Sequence, residues 1–210
     1  MTVLINNECL GVVLAGGLSS RMGQDKAQLK RNKHSEPSKL SMLEFSKQVL
    51  SDSGINKIIV SGDNYDVPDQ IKQSGPVAGI LSVLAKYPQV KSLLILPVDL
   101  PFMTVKALTE LRLKGELSQK ATFFKDHNIP LYLPNNAYIE LFLKDAFTTV
   151  EQNGNKIDDA QCSGSRFKVK GPSIKSLLKQ IPHQALICED SHILFNTNTP
   201  DEWQQAQQKF

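Results

Sequence analysis

Leu14-Ala-Gly-Gly-Leu-Ser-Ser-Arg-Met-Gly-Gln-Asp-Lys26 continues Cys9-Leu-Gly-Val-Val-Leu-Ala15, a short continuous apolar run that ends at Gly16-Gly17. A run of this kind suits a strand buried on both faces, as in a parallel sheet. The glycines behind it let the backbone turn and bring its N–H groups close to an anion. Arg21 and Lys26 add two cations, and a guanidinium fork matches phosphate oxygens well. A plain turn has no need of both charges. The segment therefore reads as a phosphate-binding loop at the carboxyl end of a first strand, the ligand side of open α/β sheets. It is not a Walker A loop, and it does not fit Gly-x-Gly-x-x-Gly.

Two more apolar runs, Asn56–Ser61 and Ser92–Pro97, read as further buried strands. Helical patterns separate them. Ser41 and Glu44 have capping-box spacing ahead of Met42, Phe45 and Val49. Pro76 suits the first turn of a helix carrying Ile80, Val83 and Leu84, and Thr104 caps another through Leu108 and Leu111. Alternating strands and helices imply right-handed crossovers and a doubly wound sheet. The second half is less regular. Lys120–Lys125 reads as a strand and Ala137–Phe147 as a helix, while Glu151–Arg166 reads as an exposed excursion. Ala185–Glu189 and His192–Phe195 read as short strands, and Thr199-Pro-Asp-Glu202 as a helix start.

A chain of 210 residues with 40% hydrophobic side chains can bury a full core, and its length favours one domain. The net charge of +3 is a mild imbalance, and Lys30-Arg31-Asn32-Lys33-His34 is too short a basic run to mark a nucleic-acid binder. Cys9, Cys162 and Cys188 form no CxxC pair, which argues against disulfides and structural zinc. Cys9 and Cys188 read as small core residues. Met1–Glu8 lacks the marks of a signal peptide and no apolar run is long enough to cross a bilayer, so the expectation is a cytoplasmic protein.

Outside the loop, several residues keep two readings. Asp99 ends the third apolar run, where an unpaired carboxylate is costly to bury. It suits either a Mg²⁺ ligand at a strand edge or a cap before Pro101. Gly75–Gly79 could turn backbone amides toward a ligand or be ordinary loop-to-helix geometry. Asn196 and Asn198 precede a capped helix, a place asparagine favours on its own account. His34, His127, His183 and His192 show no metal spacing, and Trp203 reads as a packing anchor.

Leu14-Ala-Gly-Gly-x-Ser-x-Arg-Met-Gly-x-Asp-Lys-Ala27, Gly75-Pro-Val-Ala-Gly79, Pro97-Val-Asp-Leu-Pro101 and Asn196-Thr-Asn-Thr-Pro-Asp-Glu202 occur in that order. Together they resemble bacterial molybdenum cofactor guanylyltransferases over nearly the whole chain. Looser versions of the first motif occur in sugar-phosphate, methylerythritol and molybdopterin cytidylyltransferases, and Asp25 before Lys26 favours the guanylyltransferases.

The resemblance implies a Rossmann-like three-layer nucleotidyltransferase fold, a mostly parallel sheet with helices on both faces. It implies one domain, with a nucleotide half over about 8–115 and an acceptor half over about 116–210. The implied reaction moves GMP from GTP to the phosphate of molybdenum-molybdopterin, releasing pyrophosphate, with Mg²⁺ as cofactor. Lys26, Arg21 and Asp99 are the implied catalytic residues, and Asp99 the metal ligand. Leu14, Ala15, Gly16, Gly17, Lys26, Ser61, Asp69, Gly79 and Asp99 are the implied nucleotide contacts, although the family carries an asparagine where this chain has Ser61. Asn196 and Asn198 are the implied acceptor contacts. The implied partners are molybdoenzyme-specific chaperones or other cofactor-biosynthesis proteins, with neither nucleic acid nor membrane, for a monomer or weak homo-oligomer. A cytidylyltransferase of the same fold and a non-catalytic nucleotide-binding carrier are the alternatives.

Overall fold

The computed structural model describes residues 9–16, 25–31, 40–69, 75–145 and 171–210, and Gly17, Arg21, His34, Cys162 and the 151–166 excursion lie outside them. The strands are β1 (Cys9–Leu14), β2 (Ile58–Ser61), β3 (Ser92–Pro97), β4 (Ala121–Phe124), β5 (Leu131–Pro134) and β6 (His183–Leu186). They form one sheet in the order β2-β1-β3-β5-β4-β6. The pairs β1–β2, β1–β3 and β4–β6 are parallel, and β5 runs against both its neighbours, β3 and β4.

Among the described residues, six helices cover the sheet: α1 (Met42–Asp52), α2 (Pro76–Lys86), α3 (Val105–Ser118), α4 (137–145), α5 (Ile174–Leu178) and α6 (Pro200–Gln207). Alternation along the strands divides the core into two layers. Leu10, Val12, Leu93, Ile95, Leu131 and Leu133 pack with Ile80 of α2, Ile139 of α4 and Leu177 of α5. Val13, Leu94, Leu96 and Tyr132 pack with Phe45 of α1, Leu108 of α3 and Trp203 of α6. Gly115 of α3 lies so close to Tyr132 that a Cβ there would run into its ring. The architecture is thus helix, sheet, helix, with α1 and α2 on opposite faces. Among the described residues no helix is long and apolar enough to cross a membrane.

The local signals hold at the helix starts. Ser41 and Glu44 form a full capping box at α1, Pro76 occupies the first turn of α2, and Thr104 Oγ1 accepts from Ala107 N at the start of α3. Two assignments are corrected. His192–Phe195 is not a strand: Ser191–Leu194 is a 3₁₀ turn, closed by the Asp190 carboxylate accepting from His192 N at 3.0 Å. Ile193 and Leu194 are both buried within that turn. The strand placed at Ala185–Glu189 lies earlier, at His183–Leu186, in register with β4, and Ile187 beyond it is exposed. Cys9 and Cys188 are partly buried against the core edge, and burial pushes the Cys9 thiol up to about 11. Trp203 is a buried anchor.

Candidate active site

The three central strands end level. Leu14 is in register with Ser61 on one side and Pro97 on the other. Ala15-Gly16, Gly62 and Asp99 therefore leave the sheet at one edge, the carboxyl ends of the parallel strands and the usual ligand side of such sheets. Val98 N donates to the Leu14 carbonyl at 3.2 Å, fixing the approach to Asp99 against the end of β1.

Lys26 reaches this edge from a single 3₁₀ turn, Lys26–Gln28. Asp25 caps the turn, its Oδ1 accepting from Ala27 N at 3.0 Å, and the fully buried Ala27 anchors it in the core. Lys26 Nζ donates to Asp99 Oδ2 at 3.2 Å and to Asn198 Oδ1 at 2.7 Å. The Lys26 and Asp99 side chains are each 16% exposed, so the pair is shielded far more than a surface ion pair.

The far wall is the start of α6. Glu202 accepts from Asn198 N at 2.7 Å and from Thr199 N at 2.9 Å, completing a capping box with Thr199. These bonds, that of Asn198 first, hold the Glu202 carboxyl below its ordinary range. Thr197 donates to the Asp99 carbonyl through both N (3.0 Å) and Oγ1 (3.2 Å). Lysine turn, strand end and helix start are thereby tied together.

Burial pushes the Asp99 carboxyl above its ordinary value, the Lys26 charge and hydrogen bond offset this in part, and the Asn196 side chain makes the smallest contribution. Asp99 Oδ1 and Asn196 Oδ1 are both buried and have no hydrogen-bond partner among the described residues. Two unsatisfied oxygens are costly unless something binds them. Nor do the described residues hold any group of three or more His, Cys, Asp or Glu able to bind a metal. A few hard oxygen donors suit Mg²⁺, which takes one or two carboxylates and completes its shell with water and phosphate oxygens.

A second cluster lies along the same edge. A Cβ on Gly79 would stand 2.8 Å from Ser61 Oγ, 3.3 Å from Asp69 Oδ1 and 3.7 Å from Leu14 Cδ2. One on Gly16 would stand 3.4 Å from Asp69 Oδ2. Leu14, Gly16, Ser61, Asp69 and Gly79 therefore share one space, kept open because two walls lack side chains. The Ser61 carbonyl accepts from Ala15 N at 2.9 Å and Gly16 N at 3.1 Å. Burial, then the Asp63 charge, raises the Asp69 carboxyl.

The structure thus gathers the site residues expected from sequence into two adjoining groups, Lys26–Asp99–Asn196–Asn198 and Leu14–Ala15–Gly16–Ser61–Asp69–Gly79. Gly17 and Arg21 lie outside the described residues. Sequence reasoning missed Glu202 and Thr197 as supports for Asn198 and Asp99. It also missed Tyr65, whose hydroxyl donates to Asp25 Oδ2 at 2.9 Å. The capping-box glutamate was the available signal for the first; Tyr65 had none.

Residues 11–142 match the model of the MobA-like NTP transferase domain. The chain belongs to this family. A molybdenum cofactor guanylyltransferase of Xanthomonas euvesicatoria pv. vesicatoria (strain 85-10) is 30% identical over 198 residues, covering 92% of this chain and 91% of that one. Molybdopterin-guanine dinucleotide biosynthesis protein A of Archaeoglobus fulgidus has a similar fold, with a TM-score of 0.63 at 18% identity over 95% of this chain and 97% of that one. So does 2-C-methyl-D-erythritol 4-phosphate cytidylyltransferase of Thermus thermophilus, with a TM-score of 0.59 at 12% identity over 96% of this chain and 98% of that one. At these identities the likeness to the two solved structures bears on the fold.

Proposed function

We propose that this MobA-like chain transfers GMP from GTP to the phosphate of molybdenum-molybdopterin, yielding the guanine dinucleotide cofactor and pyrophosphate. The observation that carries the reading is Lys26 held between Asp99 and Asn198 while Asp99 Oδ1 is buried with no partner among the described residues. The guanylyltransferase similar over nine-tenths of both chains supports the choice of substrates.

The acceptor phosphate, already anionic, attacks the α-phosphorus of GTP; a P–O bond forms to the acceptor and the bond to pyrophosphate breaks. No covalent enzyme intermediate is needed. Catalysis then rests on positioning and charge neutralisation. Lys26 meets the charge that develops on the α-phosphate, and Gly16, Gly17 and Arg21 hold the triphosphate. Asp99, with Asn196 beside it, would hold Mg²⁺, which would supply Lewis-acid chemistry. Asn198 orients Lys26 and, with Asn196, faces the acceptor. The domain is one unit, its nucleotide half within about 8–115 and its acceptor half within about 116–210.

Guanine offers an N1–H and an exocyclic amine, a donor edge that wants acceptors. The Leu14–Gly16 backbone and the Asp69 carboxylate supply them beside Ser61 and Gly79. A site built to satisfy such bonds discriminates because the wrong base leaves buried groups unpaired. Cytidylyl transfer is the second reading, favoured only by Ser61, which stands where the guanylyltransferases carry an asparagine. Pyrophosphate release measured with GTP, CTP and ATP against molybdopterin separates them. We expect GTP to lead in kcat/KM by at least about tenfold, and equal turnover of CTP would overturn the guanine assignment.

A further inference from the structure

Tyr65 sits between the two groups of site residues, on a loop pinned at several points. Gly62 N donates to the Val67 carbonyl at 2.9 Å and Tyr65 N to the Gly62 carbonyl at 3.0 Å. Asp66 accepts from Val60 N at 2.8 Å through its side chain and from Lys86 Nζ at 2.7 Å through its carbonyl. The loop is also packed against the first glycine loop. A Cβ on Gly62 would stand 3.0 Å from both Gly16 N and Tyr65 Cδ2. At its other end the Tyr65 hydroxyl donates to Asp25 Oδ2, the carboxylate whose Oδ1 caps the Lys26 turn. Burial, then the bond to Asp25, raises the phenol's pKa, and Gln28, the last residue of that turn, offsets this in part.

We propose that Tyr65 is a positioning residue: it ties the base-side loop to the Lys26 turn and so sets where the lysine charge stands. The inference rests on the transfer reading above. A pinned loop passes through the phenol to the Asp25 cap, and the cap fixes the backbone from which Lys26 reaches Asp99 and Asn198. Removing the hydroxyl leaves the ring against Gly62 and frees the turn at one contact. Lys26 then samples positions off the α-phosphate, which lowers kcat while the nucleotide still binds.

The test compares wild type, Tyr65→Phe, Asp25→Ala and the double variant. It uses pyrophosphate release from GTP and molybdopterin, calorimetric GTP binding, thermal melting, and mass-spectrometric labelling of Lys26 by an amine-reactive ester. Tyr65→Phe should lower kcat about five- to tenfold, a fraction of the hundredfold a 1 Å misplacement can cost. Its KM and Kd for GTP should stay within about twofold, its Tm should be unchanged, and Lys26 should label severalfold faster. Asp25→Ala should cost less kcat in the Tyr65→Phe background than in wild type, because the two act through one bond. Wild-type kcat and labelling in Tyr65→Phe, a loss confined to GTP affinity, or fully additive effects would overturn the proposal. A wild type that releases no pyrophosphate would remove the transfer reading, and the labelling rates would still decide whether Tyr65 places Lys26.

Discussion

Lys26 Nζ stands 3.2 Å from Asp99 Oδ2, joining a residue of the glycine-rich loop to the end of the third strand across 73 positions of sequence. The pair leaves Asp99 Oδ1 buried and without a partner among the described residues. One carboxylate oxygen is therefore committed to the lysine and the other is open to a cation. Under the proposed transfer, the pair would set a cation and the lysine charge on the two oxygens of one carboxylate.

Asp99→Asn keeps the shape and removes the charge. Turnover should fall by about a hundredfold or more, the scale of losing one preorganised electrostatic group. Stability should not follow. Burial raises the native carboxyl pKa above the ordinary 3.8, so between those values the native state holds a proton that the unfolded chain has lost. Wild-type stability then falls as pH rises through that window. Asparagine does not titrate. Thermal melts should find Asp99→Asn at least as stable as wild type at neutral pH, with any advantage vanishing below 3.8. A marked loss of stability at neutral pH would mean that Asp99 serves the fold.

Lys26→Ala should act on the chemical step. A fall in kcat of about 10²–10³-fold with a smaller rise in KM for GTP is the signature of a group that acts mainly in the transition state. A large rise in KM at unchanged kcat would make Lys26 a ground-state binding residue.

Gly79→Ala puts a methyl 2.8 Å from Ser61 Oγ and 3.3 Å from Asp69 Oδ1. Ser61 is buried, so there is little room to yield. Overpacking of about 1–3 kcal/mol is relieved by pushing Ser61 and Asp69 away from the base, and a loss of about 1.4 kcal/mol from their contacts is roughly tenfold in affinity. Calorimetry should show weakened GTP binding, and unaltered binding would place the base elsewhere.

Thr199→Ala removes the cap of α6 and loosens the backbone that carries Asn198. The cost should be about 0.5–2 kcal/mol, with Tm falling about 2–4 °C per kcal/mol in a chain of this size. Turnover should drop as well, because Asn198 Oδ1 holds Lys26. A lower Tm at full kcat would uncouple α6 from the site.

Where the physics is local, the sequence speaks. Ser41, Pro76, Thr104 and Thr199 sit at helix starts because each supplies a cap or a ready-made φ within its own turn. Cys9–Leu14 and Ser92–Pro97 read as strands because their burial on both faces leaves a continuous apolar run. Leu131–Pro134 escaped notice: its four residues have no period of their own and become a strand only by pairing with β3 and β4. His192–Phe195 misled because apolar neighbours resemble a strand until the Asp190 bond tightens them into a turn. The site divides likewise. Lys26, Asp99 and Asn198 stand in legible motifs, but their convergence spans up to 172 positions. The Tyr65–Asp25 bond joins residues 40 apart, and neither motif nor spacing announces it.

The central claim is that GMP passes intact from GTP to a pterin phosphate, and product mass tests it most directly. Purified protein incubated with GTP, Mg²⁺ and molybdopterin should yield a species heavier than the acceptor by one GMP less water, with one pyrophosphate released for each. Pyrophosphate or phosphate released without that adduct, or an adduct formed from CTP in place of GTP, would contradict the account.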